Sequence, residues 1–132
     1  MRKRILLVDD NQDLLDLLRL NLKGAGFSIG TANNGIEAIK KARSLMPDLI
    51  LLDLMLPEID GFGVCEILRK DPTTSSIPIL LLSGLTGQFA RFTGLESGAT
   101  DFISKPAHPR HLISRIKQIL DSPPQMAVAS DS

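Results

Sequence analysis

A chain of 132 residues with 43% hydrophobic but only 4% aromatic content can build about one domain around an aliphatic core. Its 15 basic and 15 acidic residues cancel, so no global charge points to nucleic acid or to an anionic membrane. The single cysteine, Cys65, excludes an internal disulfide and a cysteine-built zinc cage, and is expected to pack as a small apolar residue in a helix.

The N-terminus, Met1-Arg2-Lys3-Arg4, has the basic start of a secretory signal, but the apolar run behind it, Ile5-Leu6-Leu7-Val8, meets Asp9 and Asp10. That run is too short for a signal core, and none in the chain approaches the ~18 residues of a membrane span, so a soluble, cytoplasmic protein is expected. Arg4 to Val8 reads as the first strand, and a helical pattern from about Asp13 to Lys23 stops at Gly24-Ala25-Gly26. Next come a strand from Phe27 to Thr31, a helix from Gly35 to Leu45 followed by Pro47, and a strand from Leu49 to Leu52. A helix from Gly61 to Lys70 leads through the polar loop Asp71 to Ser76 into a strand over Ile79 to Leu82, opened by Pro78. A helix over Gly87 to Ser97, a short strand over Phe102 to Ser104 and a helix from Pro109 to Leu120 complete the series. Strands alternating with helices predict a parallel α/β sheet in one domain, residues 1–121. Beyond it periodicity ends at Asp121-Ser122-Pro123-Pro124, and residues 122–132 are expected to be a disordered tail or the start of a linker.

Two helices carry more than a core stripe. In the first, Leu15, Leu18 and Leu22 fit one inward line, which leaves Leu14 and Leu17 on a neighbouring ridge, either as a wide core face or as a docking patch. The fourth contains Gly94 in its interior, at a cost of ~1 kcal/mol against alanine, and is expected to be the least stable.

The strand ends carry the chemistry. Asp9 and Asp10 close the first strand, Asp53 the third, Ser83 the fourth, and Lys105 follows the fifth. Ligands of open α/β sheets bind beyond the carboxyl ends of the strands, so these side chains are expected to converge. Two carboxylates ~4 Å apart repel by ~4 kcal/mol at an effective dielectric near ~20, and such a cluster calls for a cation. Oxygen-only ligands without His or Cys suit Mg²⁺ or Mn²⁺. An aspartate beside such an ion is ionised at neutral pH and needs no general base to attack phosphorus. Lys105 and Ser83 are suitable donors to the phosphoryl oxygens of the resulting acyl phosphate. His108 and His111 fall outside this set and are read as surface or capping residues.

Val8-Asp9-Asp10-Asn11, Leu52-Asp53-Leu54-Met55-Leu56-Pro57 with Asp60-Gly61, Leu82-Ser83-Gly84, and Gly98 through Lys105-Pro106 together resemble the receiver domain of two-component response regulators, of the chemotaxis-receiver kind. The resemblance covers residues 4–121. It implies a flavodoxin-like, doubly wound (βα)5 three-layer sandwich with strand order 2-1-3-4-5. It implies further that Asp53 accepts a phosphoryl group from a phosphohistidine on a sensor histidine kinase or a phosphotransfer protein. Asp10, Asp53 and the Met55 backbone carbonyl would ligate Mg²⁺, with Asp9 acting through water. Lys105 would pair with the phosphoryl group, and Lys105-Pro106 would be a cis peptide. Ser83 and Phe102 would form the switch, with Gly84 keeping the site accessible, and the signal would emerge on the face of the fourth helix, fifth strand and fifth helix toward an unknown downstream protein or effector domain.

Other functions are weaker. An aspartate-based phosphatase needs a second acid two residues after the nucleophile, where this chain has Met55. A receiver kept only for protein contacts would be expected to have lost an aspartate or the lysine. The N-terminal receiver of a longer regulator remains an alternative. The expected protein is thus a phosphoacceptor module, not an enzyme beyond its own phosphorylation and dephosphorylation. It is expected to make no direct contact with nucleic acid or membrane, and to be a monomer with phosphorylation-dependent dimerisation left open. Arg110, Arg115 and Lys117 are candidates for dimer ion pairs.

Overall fold

The computed structural model describes residues 2–84 and 88–121; the tail from 122 onward and the expected helix start at Gly87 lie outside the described residues. The elements are β1 (Arg4–Val8), α1 (Gln12–Gly24), β2 (Ser28–Ala32), α2 (Gly35–Leu45), β3 (Leu49–Asp53), α3 (Gly61–Lys70), β4 (Ile79–Ser83), α4 (Gln88–Glu96), β5 (Asp101–Ser104) and α5 (Pro109–Asp121). All strand pairings are parallel and the order is β2-β1-β3-β4-β5, the flavodoxin-like arrangement.

Side chains alternate across a strand, and here both faces are apolar, so each buries against its own helices. Ile5, Leu7, Leu49, Leu51, Leu80 and Leu82 pack with Leu15, Leu18 and Leu22 of α1 and with Leu112 and Ile116 of α5. Leu6, Val8, Ile50, Leu52, Ile79 and Leu81 pack instead with α2, α3 and α4. Cys65 is fully buried in that second layer.

Local chemistry sets the helix starts. Asn11, Asn34 and Asp60 cap α1, α2 and α3, each side chain accepting a hydrogen bond from the backbone N–H three residues on. Gly61 is required by packing, since a β-carbon there would stand 2.8 Å from Cα of Leu54 and 2.9 Å from the carbonyl of Asp53. The start of α3 is thereby pressed against the end of β3. Gly94 has a similar role in α4: a β-carbon would stand 2.9 Å from Leu81 Cδ1 and 3.4 Å from Phe102 Cδ2. The glycine that weakens α4 as a helix lets it lie close on the sheet.

Candidate functional site at the carboxyl ends of the strands

Register places the site. β1 and β3 pair Val8 with Leu52, so Asp9 and Asp53, one residue further on, emerge level with each other. The neighbouring pairs are Asp53 with Leu82 and Ser83 with Ser104, which bring the end of β4 and the start of the β5–α5 loop beside them. The N–H of Lys105 donates to the carbonyl of Ser83 at 2.6 Å, fixing the base of the lysine, and the Lys105-Pro106 peptide is cis.

From there the ammonium of Lys105 lies 3.0 Å from Asp9 Oδ2 and 3.2 Å from Asp53 Oδ1. The other oxygen of Asp9 accepts from the N–H of Asn11 at 2.9 Å, and Met55 N–H makes a long 3.4 Å contact to Asp53 Oδ1. Asp9 and Asp53 are buried and Asp10 is exposed. Even so, the three carboxylates each offer an oxygen within 4.8 Å of the others. An all-oxygen group of this kind could hold a hard divalent cation.

The electrostatics agree with that use. Burial, and then the charge of Asp9, holds the Asp53 carboxyl above the ordinary carboxylate range; Lys105 and the Met55 N–H oppose this only in part. Burial pulls the Lys105 ammonium down, but its hydrogen bond to Asp9 and the charges of Asp53 and Asp9 outweigh this and leave it raised. One lysine faces two buried carboxylates, so a second positive charge would relieve the site.

Ser83 is fully buried at the end of β4. A β-carbon on Gly84 would meet nothing within 4 Å, so the edge of the site is open at that point. Phe102 is turned inward and buried, packed with the α2–α4 layer beneath Gly94. Met55 is exposed on the β3–α3 connection. His108 sits just before α5, its Nδ1 accepting from Arg110 N–H and its carbonyl accepting from the N–H groups of His111 and Leu112. Leu14 parts company with its ridge neighbour: Leu17 is half exposed, while Leu14 lines an apolar cavity of about 450 Å³ with Leu18, Leu82, Leu112 and Ala107, Lys105 at its rim.

Sequence reasoning passed over Asn11 as a partner of Asp9, and also the surroundings of Asp101. Asp101 opens β5 buried, paired with Arg91 of α4 at 3.5 Å and with Arg115 of α5. Arg115, considered for pairing between chains, has a partner within its own. The signal was a charged residue at the mouth of an apolar strand, which must find opposite charge if it is buried.

The family model of the response regulator receiver domain matches residues 5–117. The chain is 42% identical to the DNA-binding response regulator MtrA of Mycobacterium tuberculosis over 99% of its own length and 58% of that protein's. It is 45% identical to the alkaline phosphatase synthesis transcriptional regulatory protein PhoP of Bacillus subtilis over 91% of its length and 49% of that protein's. It thus spans from about half to just under three-fifths of the length of these relatives. Among solved structures, a response regulator from Chloroflexus aurantiacus superposes with TM-score 0.87 at 36% identity, covering 92% of this chain and 100% of that one. The BeF3-activated N-terminal receiver domain of Klebsiella pneumoniae RstA gives 0.84 at 31% identity, covering 91% and 100%. With this match over most of its length and the same five-stranded architecture, the chain belongs to the response regulator receiver domain family.

Proposed function

We propose that Asp53 is the phosphoacceptor of a signalling switch, loaded from a phosphohistidine on a sensor histidine kinase or a histidine phosphotransfer protein. The observation that carries this is the ammonium of Lys105 lying between Asp9 and Asp53 beside an exposed Asp10. A carboxylate oxygen of Asp53 attacks phosphorus, the P–N bond to the donor imidazole breaks, and the electron pair leaves with that nitrogen. Lys105 exchanges its contact with Asp53 for one with the incoming phosphoryl oxygens, and Ser83 supplies a hydroxyl to the same oxygens.

Asp10, Asp53 and the Met55 carbonyl would hold Mg²⁺ or Mn²⁺, with Asp9 acting through water. That ion would supply positive charge to the phosphoryl oxygens. Ser83 and Phe102 then shift, and the face of α4, β5 and α5 carries the signal to a downstream protein or effector. Phe102 is suited to this because it packs directly under α4. With Met55 two positions after Asp53, no acid is placed for the leaving group of a phosphatase, so turnover is limited to the protein's own phosphorylation and dephosphorylation.

Service as the receiver of a longer, DNA-binding regulator is a second reading, favoured by relatives about twice as long. In it the effector domain, not the receiver, would meet nucleic acid.

Intact-protein mass after incubation with a small phosphodonor tests the proposal. The expected result is gain of one phosphoryl group that requires both Mg²⁺ and Asp53, is lost in Asp53→Asn, and persists without the output change in Lys105→Ala. Donor consumed steadily with no adduct would favour a phosphatase instead, and no reaction at all would favour a domain kept for contacts alone.

A further inference from the structure

Asp9 and Asp10 are adjacent and chemically identical, yet one is buried against Lys105 and the other is open to solvent. The backbone of Asp9 is tied to β2, its N–H donating to the Ala32 carbonyl at 3.2 Å, but that bond leaves the side-chain torsions free. They are fixed at the two oxygens: Oδ2 by the Lys105 ammonium at 3.0 Å, and Oδ1 by the Asn11 N–H at 2.9 Å. We infer that Asn11 is a positioning residue of the phosphoacceptor site: locked as the cap of α1, it holds Asp9 toward Lys105 and out of direct contact with a metal. The inference rests on the proposal that Asp53 is phosphorylated beside a divalent cation, and it adds what gives the two neighbouring aspartates different roles.

A donor can hold a carboxylate only if it is itself held. The side-chain Oδ1 of Asn11 accepts from the Leu14 N–H at 3.2 Å and its carbonyl accepts from the Leu15 N–H at 3.1 Å. Both acceptors are thus engaged by the first turn of α1, with the backbone of Asn11 extended at φ −90° and ψ 105°. α1 is in turn seated on the sheet through Leu15, Leu18 and Leu22, all buried. The N–H that reaches Asp9 is therefore fixed relative to the core. A donor on a loose turn would follow Asp9 wherever Lys105 drew it; this one cannot.

The consequence falls on the metal and on the lysine together. Each oxygen of Asp9 has a partner, so direct coordination by Asp9 would cost it a hydrogen bond or its ion pair. Exposed Asp10 has the solvent access that a partly hydrated ion needs. Asp9 also anchors the ammonium that reaches Asp53 at 3.2 Å, so an Asp9 free to turn would carry Lys105 with it. Groups that orient the ligand set from behind in this way govern metal affinity although they never touch the ion.

A double-mutant cycle on the full chain tests this. Asn11→Ala removes the side-chain cap, Asn11→Ser keeps one, and Asn11→Ala is repeated in an Asp9→Ala background. Mn²⁺ binding is read from the electron paramagnetic resonance signal of the free ion with no phosphodonor present, and phosphoryl uptake with Mg²⁺ is read by intact mass in parallel. Asn11→Ala should weaken Mn²⁺ binding by at least about fivefold and slow uptake, Asn11→Ser should stay within about twofold of wild type, and in the Asp9→Ala background Asn11→Ala should change either quantity by less than about twofold. A residue that merely stabilised α1 would cost the same in both backgrounds. Equal losses in the two backgrounds, wild-type behaviour of Asn11→Ala, or failure of Asn11→Ser to restore binding overturns the inference. Uptake that survives Asp53→Asn while the Mn²⁺ cycle behaves as expected defeats the phosphoacceptor proposal alone; uptake that depends on Asp53, with no coupling between Asn11 and Asp9, defeats the positioning inference alone.

Discussion

Lys105 meets Asp9 across 96 positions of sequence, its ammonium 3.0 Å from the carboxylate, and the same ammonium also serves Asp53. Replacing it with an apolar side chain of similar length, Lys105→Met, leaves two buried carboxylates facing each other. A loss of about 1–3 kcal/mol is expected, smaller than for a fully enclosed pair because the lysine keeps partial contact with water. Asp53→Asn should act in the opposite sense. It removes a charge that burial and Asp9 both disfavour, and a gain of about 0.5–2 kcal/mol in metal-free buffer is expected, as for other residues kept for function at a cost in stability. Urea titration of the two variants beside wild type checks both signs.

Gly94 and Gly84 make a controlled comparison. Alanine at either position gains backbone propensity or loses little, but at Gly94 the added methyl crowds the fully buried Leu81 at 2.9 Å and approaches Phe102. Overpacking of ~1–3 kcal/mol outweighs the ~1 kcal/mol of helix propensity, so Gly94→Ala should be destabilising by up to ~2 kcal/mol. At Gly84 nothing stands within 4 Å, and Gly84→Ala should change stability by no more than ~0.5 kcal/mol. A stabilised Gly94→Ala protein would mean that Leu81 and Phe102 yield more easily than this packing implies.

Asp71 gives the clearest acid dependence. Its carboxylate accepts from the Thr73 N–H at 2.9 Å, from Arg43 at 2.6 Å and from the Thr73 hydroxyl at 2.8 Å, which together lower its pKa from 3.8 to about 2. A carboxyl depressed by folding contributes stability that is complete above its unfolded pKa and is lost as pH falls through its folded one. Asp71→Asn should therefore be less stable than wild type at neutral pH, with a gap that narrows as pH falls from about 3.8 toward about 2. A gap independent of pH would show that shape, not charge, matters there.

Burial pushes the Cys65 thiol up to about 12. Since the thiolate is the reactive form, the native protein should resist an aromatic disulfide reagent at neutral pH and react fully in urea. Reaction in the native state would report opening of α3.

Much of this was legible because strand ends and helix starts carry unambiguous chemistry. Apolar runs closed by Asp9, Asp53 and Ser83 located β1, β3 and β4, and glycine, proline and capping residues located the helices. The errors have physical causes. Phe27 reads as the first residue of β2 but packs into the α1–α5 layer, its N–H donating to the Leu22 carbonyl, and β2 begins at Ser28. Asp101 belongs to β5 although its charge argues against a strand, because Arg91 and Arg115 arrive from two helices that no local pattern connects. Sequence did not tell Asp9 from Asp10 by environment: Asp9 is buried and directly paired with Lys105, whereas Asp10 is exposed. Two adjacent aspartates look alike in sequence, and only the turn into α1 distinguishes them.

The most direct measurement traps the phosphoryl group where it lands. After loading with a small phosphodonor and Mg²⁺, borohydride reduction converts an aspartyl phosphate to homoserine, and peptide mass mapping finds the position. Homoserine at position 53 alone is the result this account predicts. Homoserine at position 9 or 10, or phosphate that survives reduction on Ser83, would contradict it.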